Sequence, residues 1–434
     1  MSGASPGSPA ALRHINQAHV LAVVRRSEAL RLGEIAETTG LSRPTVASAL
    51  DELQEAGWVE FLEEHPDGRS RLGRPARLVR FRADAGYVVG IDIGAHRASV
   101  VVTDLEGAEA ATVRRSTSDA RDRHQLLAAV RTAVREALAR AGIDRRAVMS
   151  VAVGTPGIIN PAGNIVMQAP GLPGWTSLNL ARELHRSFHC AVHIENDVNL
   201  AVLGERWRGA ATDANTVVFI LWGERVGAGI FIDGRLHRGA AGAAGEIGYL
   251  NVVDPIGADV RVDKEGRGPF ERAVAAGAVM TLGKEAARRH SGALRELART
   301  EGHLDAAAVF AAAARGDATA RTVVDTVTAR LARGLAPLML VIDPDVVVIG
   351  GGISLAGPAV LDAVRKHVHR LTLVPTPLRL STLGEDAVVS GAIRLALSDV
   401  ERHVLPSLEA PEPDSSAGLV LRAEQAQSRA LSDE

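Results

Sequence analysis

The sequence predicts an α/β protein in which a small N-terminal winged helix-turn-helix precedes a large body. Two observations lead to this prediction. Near the N-terminus, three helical patterns are followed by two strand patterns around a glycine-containing loop. Further along, near-continuous apolar strands alternate with helices rich in alanine and leucine, as in sheets that are covered on both faces. A chain of 434 residues is long enough for about two to four folding units.

The composition is that of an ordinary globular protein, with 46% hydrophobic and 23% charged residues and a net charge of −2. This balance excludes a polycation that coats nucleic acid or membranes along its whole length. Cys190 is the single cysteine, which excludes an internal disulfide and a multi-cysteine zinc site. The longest apolar stretch, 335–352, is interrupted by Asp343, Pro344 and Asp345. We therefore expect a cytoplasmic protein with no membrane segment and no cofactor.

The chain is expected to begin and end in disordered tails. Residues 1–10 are almost entirely Ser, Gly, Pro and Ala, a composition that buries too little surface to become ordered. Residues 399–434 are mostly polar, with prolines among acids and serines. Between the tails, residues 11–82 are assigned to the winged helix-turn-helix and residues 83–398 to the body.

The N-terminal unit is predicted to contain three helices and a hairpin. The first helix covers the region 15–25, and Ser42 is placed to cap the third, which Gly57 ends. The apolar residues that share one face of the second and third helices are Leu32, Ile35, Ala36, Val46, Leu50 and Leu53. Strands over 58–62 and 77–81 then enclose a loop, the wing.

The third helix and the wing carry the candidate DNA contacts. On the helix, Arg43, Thr45 and Ser48 lie near the end that meets base edges in such motifs, and Ser42 with the first N–H groups suits a phosphate contact. On the wing they are Arg69, Arg71 and Arg74, which suit phosphates or a narrow minor groove. Residues 11–82 hold 11 arginines against 10 acids, so the unit could instead be an interaction module. The concentration of six arginines and no acid in 69–82 favours double-stranded DNA.

The body is predicted to alternate buried strands with helices. The expected strands cover 87–93, 98–102, 148–153, 191–194, 217–221 and 346–349. The longest expected helices cover 121–141 and 318–340.

Short glycine-containing and acidic segments of the body resemble the ROK family of repressors and sugar kinases. In chain order they are Gly90-Ile-Asp-Ile-Gly94, Gly154-Thr-Pro-Gly157, Glu195-Asn-Asp197, Gly245-Glu-Ile-Gly248 and Gly350-Gly-Gly352. With the winged helix attached, the resemblance covers residues 11–398 and points to the regulator branch, of which xylose repressors are typical. It implies a two-lobed, actin-like (ribonuclease H-like) body, with a boundary between the lobes near residue 197.

The resemblance also assigns roles to site residues. In the family's kinases a carboxylate accepts the proton of a sugar hydroxyl, a role that falls to Asp197, with Asn196 orienting the ring. Glu246 and Glu271 would bind further hydroxyls, and Gly157 would permit close backbone approach. Ordinary alternatives exist: Asn196 and Asp197 could cap a helix, Glu246 could be solvated, and Glu271 could stabilise a helix N-terminus.

Both phosphate-binding turns depart from the kinase pattern. Ala95, His96 and Arg97 replace the Gly, Thr and Lys of the first turn, and Glu224 and Arg225 replace the Thr and Gly of the second. Two like charges about 4 Å apart repel by about 4 kcal/mol at an effective dielectric constant near 20. These replacements predict that ATP binding and kinase activity have been lost.

The family's structural zinc site is also altered. Tyr249, Val262, Lys264 and Pro269 stand at the positions of its four His and Cys ligands, so we expect no metal there. The family's histidine also touches the sugar, which makes Tyr249 a candidate ligand contact, although it could equally belong to the core.

The sequence therefore predicts a DNA-binding transcriptional regulator, specifically a repressor, whose body binds a sugar or sugar derivative. Two recognition helices reading two half-sites imply a homodimer or a higher homo-oligomer. Two alternatives remain: an active ATP-dependent sugar kinase with an attached DNA-binding unit, and a regulator that uses its body only for assembly.

Overall fold

The structure is a computed structural model that describes residues 9–63, 77–160, 162, 165–169, 171–172, 174–253, 261–300, 304–403 and 405. The helices are α1 (Pro9–Val24), α2 (Leu32–Thr39), α3 (Arg43–Glu55), α4 (Arg123–Ala141), α5 (Leu180–His185), α6 (Asp197–Arg208), α7 (Pro269–Val274), α8 (Ala276–Arg289), α9 (Ala293–Thr300), α10 (Ala306–Ala314), α11 (Ala318–Ile342), α12 (Pro358–Val368) and α13 (Ala387–His403). The strands are β1 (Leu30–Arg31), β2 (Val59–Glu63), β3 (Arg77–Phe81), β4 (Tyr87–Ile93), β5 (Arg97–Asp104), β6 (Glu109–Ser116), β7 (Val148–Thr155), β8 (Ile158–Ile159), β9 (Ile165–Gln168), β10 (Leu178–Asn179), β11 (Ala191–Asn196), β12 (Val217–Trp222), β13 (Val226–Ile232), β14 (Arg235–Leu236), β15 (Val346–Gly350) and β16 (Leu378–Leu380).

The N-terminal unit is a winged helix-turn-helix, as the sequence predicts. Its three helices bury apolar side chains such as Val20, Ile35 and Leu50 against an antiparallel sheet with the strand order β1-β3-β2. Ser42 caps α3, because its Oγ accepts a hydrogen bond from the backbone N–H of Thr45 (3.3 Å). The predicted wing residues Arg69, Arg71 and Arg74 lie outside the described residues.

The body contains two five-stranded sheets with the same topology. In each, three antiparallel strands continue into two parallel ones, in the order β6-β5-β4-β7-β11 in the first lobe and β14-β13-β12-β15-β16 in the second. This duplication confirms the two-lobed, actin-like body. The six apolar runs predicted as strands form β4, β5, β7, β11, β12 and β15. The expected lobe boundary near residue 197 falls where β11 ends and α6 begins.

The last described helix, α13, returns to the first lobe and packs against α6. Glycines permit the close contact: a Cβ added to Gly391 would overlap the carbonyl oxygen of Leu200, and one added to Gly204 would overlap that of Ala387. The two helices therefore touch backbone to backbone. α13 also covers β4 and β7, so it belongs to the core of the first lobe.

Both predicted tails are longer than the structure allows. α1 begins at Pro9, where proline fits the first helical turn because no N–H is needed there. α13 continues to His403, past the expected boundary at 399, because Asp399 and Val400 are buried. Within the described part of the chain, no helix combines the length and the apolar character that a membrane span requires.

Candidate functional site

Asn196 sits where β11 meets α6, at the end of the first lobe's sheet. Its Oδ1 accepts hydrogen bonds from the N–H groups of Val198 (2.9 Å) and Asn199 (3.0 Å), so it caps α6. Its Nδ2 donates to the carbonyl oxygen of Gly157 (3.0 Å). Gly157 has a φ of 111°, and an added Cβ there would overlap the carbonyl oxygen of Gln168. Asn196 thus caps α6, as the structural alternative suggested, and its amide also connects the Glu195–Asp197 motif to the Gly154–Gly157 motif.

Asp197, the first residue of α6, is at the centre of a group of desolvated carboxyl groups. Burial raises its pKa to about 6, even though its Oδ1 accepts a hydrogen bond from the N–H of Val198 (2.9 Å). The pKa of Glu246 rises to about 7 through burial and through the charges of Asp197 and Glu271. Near neutral pH such groups exchange between a form that only accepts hydrogen bonds and one that also donates, which suits sugar hydroxyls.

Asp92 joins this group, although its place in the Gly90–Gly94 motif did not predict such a role. Burial raises its pKa to about 7, and Asp197 and Asp386 add to the increase while Arg97 opposes it. The available signal was its position inside the Gly90–Gly94 motif. Asp92, Asp197 and Glu246 thus bring three separate motifs into one electrostatic cluster.

Replacing Asp92 with asparagine is expected to stabilise the protein at high pH. The folded-state pKa lies above the ordinary value of 3.8, so the stability that wild-type Asp92 provides is lost as pH rises from about 4 through about 7. Asparagine cannot ionise, so the thermal midpoint should rise at pH 8, by about 2–5 °C, and change little at pH 5.

Asp213→Asn is the matched control. Asp213 forms an ion pair with Arg379 (2.7 Å), whose hydrogen bond lowers the pKa of that carboxyl group. The same substitution there should lower the midpoint at pH 8. A destabilised Asp92→Asn variant at pH 8 would contradict the burial assigned to Asp92.

Glu271 is held by protein donors on both carboxylate oxygens. Its Oε1 accepts from Arg225 Nη1 (3.0 Å) and its Oε2 from the N–H of Val226 (2.9 Å), with the side chain buried in the first turn of α7. Arg225 also donates to the carbonyl oxygen of Glu265 (3.0 Å). The arginine that replaces a family glycine therefore occupies the side of the site where Glu271 was expected to bind hydroxyls.

Tyr249 is 39% exposed, and its hydroxyl donates to the carbonyl oxygen of Gly266 (3.3 Å). Its pKa is raised by burial and by the charges of Glu246 and Glu271, and Arg225 opposes this increase. The phenol is thus a neighbour of the carboxyl cluster with an exposed face, which fits a ligand contact better than a core position.

The two altered phosphate turns contact each other. His96, between β4 and β5, lies with its Nε2 3.1 Å from Glu224 Oε2, between β12 and β13. The pair bridges the two lobes through the turns that correspond, by the family resemblance, to the phosphate turns of the kinases. Both side chains are largely exposed. Solvent screening therefore makes the repulsion between Glu224 and an incoming phosphate weaker than the value of about 4 kcal/mol given above.

A second pair joins the lobes beside α6. Glu195 is buried and accepts at Oε1 from the N–H of Asn196 (2.9 Å) and from Asn199 Nδ2 (3.0 Å). Its Oε2 accepts from Nε of Arg238 (2.5 Å), which follows β14 of the second lobe. This pairing could not be predicted from the sequence, because the two residues are 43 positions apart along the chain.

Val262 and Lys264, two of the altered zinc positions, lie in a segment that is held by contacts between Asp263 and Arg267. Asp263 accepts from the N–H of Arg267 (2.8 Å) and pairs with its Nε (2.8 Å). Val262 beside it is half exposed. Among the described residues, no group of three or more His, Cys, Asp or Glu side chains is arranged to hold a metal ion.

The candidate DNA face of α3 is accessible. Ser42, Arg43 and Ser48 are exposed, and Thr45 is partly buried. The Oγ atoms of Ser42 and Thr45 lie 2.8 Å apart, so both hydroxyls take part in the cap. The other two predicted contacts, Arg43 and Ser48, do not take part in this cap.

Comparisons with known proteins match both parts of the chain. Residues 88–399 match the ROK family, and residues 13–70 match the MarR family. A xylose repressor of Caldicellulosiruptor bescii is 25% identical over 400 residues, which are 91% of this chain and 98% of that protein. A glucokinase of Thermotoga maritima is 30% identical over 311 residues, 70% of this chain and 95% of that protein.

Two solved structures are similar in fold. One is a ROK family transcriptional regulator described as a homolog of the E. coli MLC protein, with a TM-score of 0.72, 22% identity and coverage of 89% of this chain and 97% of that one. The other is a ROK family glucokinase of Streptomyces griseus in complex with glucose and AMPPNP, with a TM-score of 0.62, 28% identity and coverage of 72% and 100%.

Proposed function

The chain belongs to the ROK family, and from this premise we propose that it is a DNA-binding transcriptional regulator, a repressor, that responds to a sugar or sugar derivative. The observation that carries the proposal is the combination of an exposed recognition face on α3 with a body that keeps the family's sugar-side carboxyl groups. The xylose repressors that match nearly the whole chain support it. The glucokinases match a smaller share of the chain, 56% and 70%.

We propose that the ligand binds in the cleft between the lobes, against Asp197, Glu246 and Tyr249. Asp197 provides a hydrogen-bonding group where β11 of the first lobe ends, Glu246 provides one in the second lobe, and Tyr249 offers a partly exposed ring. Gly157, Asn196 and Glu271 support this site mainly through their contacts with protein atoms. Because one ligand would touch both lobes, its binding would favour one arrangement of the lobes over another.

We further propose that the body does not act as a kinase. Phosphate binding requires small residues with free N–H groups and donor side chains. Here Arg225 extends to Glu271 instead of leaving the backbone open, and Glu224 places a carboxylate opposite His96. Asp197 would be the base position if activity survived.

Incubation of the purified chain with ATP, magnesium and a panel of sugars tests this point. We expect no phosphorylated sugar above background from this chain. A ROK glucokinase assayed in parallel serves as the positive control and should form product. AMPPNP should leave the thermal midpoint of the wild type unchanged and raise that of a Glu224→Thr, Arg225→Gly double variant. Robust phosphorylated product from the wild type would favour the kinase alternative.

The DNA partner is proposed to be an operator with two half-sites. The recognition helix of one subunit covers one half-site, so two copies of this chain would bind together as a homodimer or within a higher oligomer. The arginines of the wing would add phosphate contacts that do not depend on sequence.

A further inference from the structure

The ligand-side end of α6 is rigidly connected to α13. α6 begins at Asp197 in the cleft, and its backbone touches that of α13 at Gly204 and Gly391. Close packing of this kind leaves little room for one helix to move without the other. A displacement of α6 therefore displaces α13.

A buried carboxylate fixes the far part of α13 to the sheet of the first lobe. Asp399 accepts a hydrogen bond from Ser150 Oγ of β7 (2.7 Å) and lies 3.1 Å from His193 Nε2 of β11. His403 Nδ1 lies 2.9 Å from its other oxygen. β11 is the strand that leads to Asn196, so α13 is connected to the cleft through a strand as well as through α6.

The C-terminal turns of α13 contact the DNA-binding unit. Glu401 accepts at Oε1 from Arg25 Nη2 (3.0 Å) and is held at both oxygens by Arg394 of its own helix (3.1 and 2.8 Å). Arg25 follows α1, and its guanidinium lies over the ring of Phe81 in β3, 5.3 Å from the centroid. Arg25 and Glu401 have side chains only 24% and 27% exposed, so solvent screens this pair less than a surface pair.

The same contact is continuous with apolar packing. One cluster of buried side chains includes Val24 and Phe81 of the DNA-binding unit together with Leu397 and Val400 of α13. Burial alone would raise the pKa of Glu401. The hydrogen bonds and charges of Arg394 and Arg25 have the larger effect and lower that pKa, so Glu401 is ionised at neutral pH.

We propose that α13 transmits the state of the cleft to the DNA-binding unit, with Arg25, Glu401 and Arg394 as the joint between the two. This inference rests on the proposed function, because it needs a cleft ligand and a DNA partner. The joint orients α1 and β3, and α1 packs on α3, which presents Arg43 to DNA. A ligand that moves α6 would thus change the orientation of the recognition helix and its affinity for an operator.

The experiment measures the effect of sugar on DNA affinity in full-length variants. Fluorescent duplexes tiled across the promoter of the protein's own gene are titrated with and without D-xylose, D-glucose and further monosaccharides. The variants are Glu401→Gln, which keeps the shape of the side chain, and Arg25→Gln, which removes the partner. Glu136→Gln is the matched control, because Glu136 of α4 also lies between two arginines, Arg115 (2.6 Å) and Arg140 (2.5 Å), on another part of the first lobe.

In the wild type, the active sugar should change DNA affinity by at least tenfold. In Glu401→Gln and Arg25→Gln the ratio of DNA affinity without sugar to that with sugar should lie within about twofold of unity. The sugar should still raise the thermal midpoint as in the wild type. Glu136→Gln should keep the wild-type ratio. Wild-type ratios in both joint variants would overturn this inference alone, whereas a wild type that responds to no sugar would overturn the proposed function and the inference with it.

Discussion

Replacing Asp197 with alanine is expected to abolish the sugar-induced rise in thermal midpoint. Asp197 is proposed to bind a hydroxyl group directly, and hydrogen bonds to charged groups are worth about 1.5–3 kcal/mol, or about 10- to 150-fold in affinity. The raised pKa of about 6 adds a pH dependence: a free carboxylate that must accept from the sugar is more populated at pH 7.5 than at pH 5.5. Binding to the wild type should therefore strengthen across that range, and Asp197→Asn should remove the contribution of Asp197 to the change.

Asp317→Ala separates ligand binding from helix capping. Asp317 caps α11 by accepting from the N–H of Ala320 (2.8 Å). The Oδ2 of Asp317 also accepts a hydrogen bond from the N–H of Leu294 (3.2 Å). Loss of these bonds should lower the free energy of unfolding by about 1–3 kcal/mol and leave the sugar-induced rise in thermal midpoint intact. If Asp197→Ala behaves in the same way, Asp197 serves α6 alone and the proposed ligand site is wrong.

Replacing Arg43 with alanine is expected to reduce both the affinity for the operator and its preference over other sequences. Arg43 is exposed in the first turn of α3, while the side chains of Val46, Leu50 and Leu53 face the core. A base contact made by such an arginine is worth about 1–3 kcal/mol of discrimination. The ratio of operator to non-specific affinity should therefore fall by about 5- to 150-fold in titrations at fixed salt.

Arg71→Ala provides the contrast, because a wing arginine on phosphate affects all sequences alike. That variant should weaken operator and non-specific binding to a similar extent and reduce the slope of log affinity against log salt by about 1. Arg43→Ala should lower the ratio far more than it changes this slope. An unchanged ratio in Arg43→Ala would show that another residue reads the bases.

The fold could be predicted from local signals. Continuous apolar runs predicted β4 and β12, and a single capping serine with the following apolar face predicted α3. β6 and β13 were not predicted. β6 alternates between buried and exposed residues and carries charges, and β13 is interrupted by glycines that allow α6 to approach; a Cβ at Gly229 would overlap the carbonyl oxygen of Val198.

The site was only partly accessible from sequence. The motifs identified Asp197 and Glu246, because a short ordered pattern is local information. The pairings of Arg225 with Glu271 and of His96 with Glu224 join residues 46 and 128 positions apart, and no periodicity reports such contacts. Arg225 was expected to contribute to the loss of ATP binding, and the structure adds that its positive charge is directed to the buried carboxylate of Glu271.

The bridge between His96 and Glu224 has a consequence for the kind of signal that the proposed regulator reports. If, as proposed, the cleft binds a sugar without phosphorylating it, the molecule leaves chemically unchanged, so occupancy follows the free concentration of that sugar and reverses when the concentration falls. Under this proposal the response would not depend on the cell's ATP concentration. Other enzymes could then consume the sugar, whereas the proposed regulator would only bind and release it.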